Sequence, residues 1–167
     1  MNFITRWIDR IVAFGVALLF MQAPQFIQNY TQVLAGHLAE LSWQLGQMRL
    51  AAEQSGKTLA ELAAKFLHSL DPDIATHGSL IQKMIFREHD FTAALTALTH
   101  ATALTRPFAF IAHAKWELIR ETATHFQAGL PLSIEAILWG LAGLFLGYGL
   151  IRGIIFIFKK IVAPKSR

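Results

Sequence analysis

Histidine has the widest chemical range of any side chain in this sequence, and all seven copies (His37, His68, His77, His89, His100, His113 and His125) lie in its middle part. An imidazole can ligate a transition metal or move a proton near neutral pH. The spacing fits neither role. Paired ligands on a helix sit at i, i+4, and a di-iron bundle needs Glu-x-x-His from two helices. The smallest separations between successive histidines are 9, 11 and 12 residues. His37-x-x-Glu40 reverses the required order, and Glu121-x-x-x-His125 is one residue too long. His37 and Glu40, at i, i+3, could share a proton, but no nucleophile or oxyanion device accompanies them, and pairing along the helix surface is the expected role. The chain has no cysteine, which excludes disulfides, thiolate metal sites, iron–sulfur clusters and thiol catalysis. The expectation is a protein that is not an enzyme, with no catalytic, metal-binding or cofactor-binding residues. A membrane-bound hydrolase or metal enzyme ranks last.

The elements carrying these residues are unusually apolar. Hydrophobic residues make up 54% of the 167 and charged residues 16%, with a mean hydropathy of +0.42. Two runs account for this. Ile11 to Ile27 has no charge, and the next ionised residue is Glu40. Ala136 to Phe158 holds one charge, Arg152. At a helical rise of about 1.5 Å per residue the runs span roughly 25 and 34 Å, against a hydrocarbon core of about 30 Å. Both are expected to be transmembrane helices. A cleaved signal peptide is the rival for the first, but Met21-Gln22-Ala23 places a bulky side chain where a small one is needed, and Pro24 follows. Trp7, Phe26 and Tyr30 would then be interfacial anchors.

The formal charge of +4 is not spread evenly. Pro24 to Ser133 carries eight Lys/Arg against nine Asp/Glu, whereas Arg6 and Arg10 precede the first run and Lys159, Lys160, Lys165 and Arg167 follow the second. A nucleic-acid face would need basic residues on the folded part, so no nucleic acid partner is expected. The positive-inside rule places both termini in the cytoplasm. The expected layout is a cytoplasmic head (1–10), a first span (11–27), an extracytoplasmic helical domain (28–133), a second span (134–158) and a basic cytoplasmic tail (159–167).

The middle part reads as all-helical, a bundle of about four helices, because Ala, Leu, Gln, Glu and Lys dominate and no period-2 alternation is sustained. Leu34, Leu38, Leu41, Leu45, Met48 and Ala52 follow a heptad spacing that requires a partner, in the domain or on another copy. Ser55-Gly56 breaks that helix, and Thr58 to Glu61 has capping-box spacing. A second helix to about Ser69 would bury Leu59, Leu62, Phe66 and Leu67. Asp71-Pro72 starts a third, to about Leu104, with Ile74, Ile81, Met84, Phe91, Leu95 and Leu98 inward and Gly78 as a weak point. The fourth, about Pro107 to Gln127, would turn Phe108, Ile111, Trp116, Ile119 and Phe126 inward. Gly129 is an expected C-cap, and Ser133 the N-cap of the last span with Glu135 in its first turn.

Gln22-Ala23-Pro24-Gln25-Phe26, Gly36-His37-Leu38-Ala39-Glu40-Leu41, Asp71-Pro72, Arg106-Pro107-Phe108 and Leu130-Pro131-Leu132-Ser133-Ile134-Glu135 together resemble a family of small proteobacterial inner-membrane proteins catalogued as a domain of unknown function. The resemblance implies a bacterial inner-membrane location, a periplasmic middle domain and no assigned chemistry.

Interaction signals remain. Gly140, Gly143 and Gly147 share one face with Ala136, and Gly143-x-x-x-Gly147 and Gly149-x-x-x-Gly153 are small-xxx-small patterns that let helix backbones approach closely, on the first span or on another copy. Arg152 could snorkel to the cytoplasmic interface or pair with Asp9. The lipid bilayer, a second copy or another membrane protein are the expected partners. A self-associating scaffold or interaction module is the leading function, and a small oligomeric channel, transporter accessory or lipid-handling protein the alternative.

Overall fold

The computed structural model describes residues 3–129 and 134–162, setting aside the side chains of 3–9, 135, 150, 151 and 154–162. The described residues form six helices and no strand: α1 (Phe3–Gln54), α2 (Leu59–Leu67), α3 (Pro72–His100), α4 (Arg106–His113), α5 (Trp116–His125) and α6 (Ile134–Val162). The chain divides into two compact units, one of Met1–Asn29 with Ala123–Arg167 and one of Tyr30–Thr122. The first run and the heptad stripe belong to one 52-residue helix that continues through Pro24. By length and composition, one described helix is apolar enough to cross a membrane, α1 from Arg10 onward; its place near the N-terminus also suits a signal sequence. The described apolar part of α6, Ala136–Gly149, is shorter.

Within Tyr30–Thr122 the helix ends follow local chemistry. Gly56 adopts φ 65° after α1, a left-handed turn that glycine enters without a Cβ penalty. Thr58 accepts from the Glu61 amide at 3.2 Å while the Glu61 carboxylate accepts from the Thr58 amide at 2.8 Å. These bonds hold the Glu61 carboxyl below the usual carboxylate range. Asp71 caps α3 through the Asp73 amide at 2.9 Å, with Pro72 opening the helix.

The stripe on α1 finds its partner in this unit: Leu34, Leu45 and Ala52 are fully buried, with Leu38, Leu41 and Met48 half-buried. Phe91, Ala94 and Leu98 of α3, Leu59 and Ala63 of α2 and Leu118 of α5 complete the core. A self-associating coiled coil is therefore not needed to cover the stripe.

Three expectations change. The helix after Pro72 stops at His100, because Ala101 is extended and Thr102 and Thr105 close a turn, the Thr102 amide donating to Thr105 Oγ1 at 3.0 Å and the Arg106 amide to the Thr102 carbonyl at 2.8 Å. The expected fourth helix is two, α4 and α5. Ala114 is extended, and the Lys115 amide donates to the Tyr30 hydroxyl at 2.9 Å. Phe108, Ile111 and Trp116, expected inward, are 70, 78 and 71% exposed, and Ile74 and Leu67 also reach solvent.

Gly78, expected as a weak point, is buried where α3 packs tightly on the backbone of α2. A Cβ there would meet the Leu67 amide nitrogen, the Ala63 carbonyl oxygen at 2.8 Å and the Phe66 carbonyl carbon at 2.9 Å. Backbone cannot swing aside as a side chain can. Gly78→Ala gains about 1 kcal/mol of helix propensity, but the overlap costs about 1–3 kcal/mol. A net loss of thermal stability is expected by circular dichroism, and a raised melting temperature would show that α2 yields freely.

Candidate functional site

The unit formed by residues 1–29 and 123–167 is built around small residues. Ala13, Ala17 and Ala136 are buried at 2, 8 and 0% exposure, and Gly140, Gly143 and Gly147 are buried with them. A Cβ on Gly140 would meet Met21 Cγ; on Gly143 it would meet Phe20 Cβ at 2.6 Å and Ala17 Cα at 3.1 Å; on Gly147 it would meet Val16 Cβ at 3.2 Å and Ala13 Cα at 3.3 Å. Three glycines of α6 thus lie on α1 of the same chain. Gly149 and Gly153 meet nothing within 4 Å. Six other large side chains point away: Ile11, Phe14 and Leu19 on α1 and Leu138, Phe145 and Leu146 on α6 are all more than half exposed.

The same unit has a polar end. Gln22 Nε2 donates to the Gly129 carbonyl at 2.7 Å, and its Oε1 is buried without a hydrogen-bond partner. Phe26 meets Phe126 edge-on at 5.3 Å. Gly129, expected to cap α5, lies four residues past the end of that helix at His125. Ser133 and the side chains of Glu135 and Asp9 lie outside the described residues, so the Asp9–Arg152 pairing is not described. The Arg152 guanidinium lies 5.6 Å from the Tyr148 ring centre.

In the unit Tyr30–Thr122 the polar side chains form ion pairs between helices. His37 pairs with Glu121 at 2.8 Å, while Glu40, the expected partner, accepts from Gln44 at 2.8 Å. Arg49 pairs with Glu88 at 2.5 Å, Lys115 with Asp90 at 2.6 Å and Arg87 with Glu117 at 3.3 Å, the Arg87 guanidinium also lying 4.8 Å from the centre of the Phe91 ring. Partners 25 to 84 residues apart leave no mark in local spacing, which is why reading along one helix selected Glu40. Exposed pairs contribute about 0–1 kcal/mol each. They fix which helix faces which.

Tyr30 is the least replaceable member of this set. It is fully buried, meets Phe110 edge-on at 5.0 Å and takes the Lys115 amide on its hydroxyl. Burial raises its pKa above 10.0, against the opposing pull of the Lys115 amide and ammonium. Two open clefts flank α1, one of about 150 Å³ lined by His37, Glu40, Gln44, Arg87 and Phe91, and one of about 370 Å³ lined by Arg49, Glu53, Lys57, Thr58 and Ile85. Arg87 and Arg49 are already ion-paired there. No three His, Asp or Glu side chains converge as a metal site among the described residues.

A comparison with protein families matches residues 4–163 to the family described as "Protein of unknown function (DUF2937)", and the chain belongs to that family. No curated protein and no solved structure matches the chain.

Two measurements bear on this geometry. Gly143→Ala should destabilise the detergent-solubilised protein by about 1–3 kcal/mol. Gly140→Ala should cost less, because Met21 can swing aside, and Gly149→Ala, whose added Cβ meets nothing, should raise the melting temperature slightly through helix propensity. In a Tyr148→Phe background, tyrosinate absorbance should report Tyr30 titrating above pH 10. A group whose pKa is raised on folding contributes stability that is complete below its unfolded pKa and is lost as pH rises through the folded value. Stability should therefore fall above about pH 10, and Tyr30→Phe should remove that dependence while costing about 1 kcal/mol at neutral pH.

Proposed function

We propose that this DUF2937 protein is a non-enzymatic, membrane-anchored interaction module. In this reading α1 and α6 both cross a bacterial inner membrane, the termini are cytoplasmic and the Tyr30–Thr122 unit is periplasmic. One observation carries the reading: the helix pair meets through glycine and alanine, beside Val16, Phe20 and Met21, while Ile11, Phe14, Leu19, Leu138, Phe145 and Leu146 face out. In water this arrangement forgoes burial worth about 1.5–3 kcal/mol for each large side chain. In hydrocarbon those side chains lose nothing by facing out, and close backbone approach supplies the packing. The single described charge from Ile11 through Glu40 is Glu40 itself, and Arg152 is the first in α6 beyond Glu135. Lys159, Lys160, Arg6 and Arg10 then set the orientation.

Interaction is favoured over catalysis because His37, Arg49, Arg87 and Lys115 and their carboxylate partners are taken up in pairs that hold the domain together. Self-association is assigned to Gly149-x-x-x-Gly153, the small-residue pair that α1 leaves uncovered.

Reporter fusions test the topology. Green fluorescent protein at either terminus should fluoresce, and alkaline phosphatase inserted at Lys57 should be active. Phosphatase activity at either terminus would refute the orientation. Crosslinking in membranes should give dimers that Gly149→Ile with Gly153→Ile abolishes, and a strict monomer would remove self-association from the reading.

A further inference from the structure

We draw no further inference here: the strongest candidate, the apolar surface of α4 and its flanks where Leu104, Phe108, Ile111 and Trp116 reach solvent, carries nothing because nothing in the structure shows what covers it.

Discussion

Everything described depends on α1 being packed in two ways along its length. Ala13, Ala17, Phe20 and Met21 receive the glycines of α6, while Tyr30, Leu34, Leu45 and Ala52 receive the helical domain. The first works through Ala13 and Ala17 against the glycines, with Phe20 and Met21 beside them, so that the helices approach until a single added Cβ would overlap. The second works by being large, filling a core with leucine and tyrosine. The glycine seam involves α1 from Ala13 to Met21 and the leucine-lined core begins at Tyr30, with no break in the helix between them. A change of packing rule within one uninterrupted helix is what a change of solvent would impose, and that physical contrast underlies the proposed membrane location.

The domain beyond Tyr30 is held by few strong elements. Its helix ends are set by local hydrogen bonds at Thr58, Asp71 and the Thr102–Thr105 turn, and its core by about ten buried side chains. The ion pairs are exposed and individually weak. They discriminate among helix arrangements more than they stabilise one. Tyr30 differs because its hydroxyl satisfies an amide that has left the helix ladder between α4 and α5. Removing it would leave that donor unpaired, which costs more than a surface pair returns.

Local signals were therefore legible in the sequence and long-range ones were not. The capping box at Thr58–Glu61, the Asp71-Pro72 start and the break at Ser55-Gly56 each depend on a few adjacent residues, and all stand where expected. The heptad stripe was legible as buried, but its spacing could not say what buries it. His37 was paired with Glu40 because both lie on one helix, whereas Glu121 is reachable only through the fold. The break at Ala114–Lys115 was missed for the same reason, since it depends on a hydroxyl 85 residues away. Phe108, Ile111 and Trp116 form an apolar pattern that is identical whether it is buried in a core or left exposed, and periodicity carries no information on that choice.

The glycines of α6 reward the same distinction. Five positions look equivalent in sequence, all small residues in an apolar helix. Three lie where α1 comes within van der Waals range and two where nothing does. The difference does not come from α6. It comes from α1, which offers Ala13 and Ala17 four residues apart, one helical turn, with Val16, Phe20 and Met21 beside them. A small-xxx-small pattern becomes a seam only where the opposing helix is also small at the matching height. Gly147 meets Ala13, and Gly143 and Gly140 meet Ala17 and its neighbours. The spacing of Ala13 and Ala17 equals that of Gly147 and Gly143 but equally that of Gly153 and Gly149, so the register that brings the first pair onto α1 comes from the fold and not from the spacing.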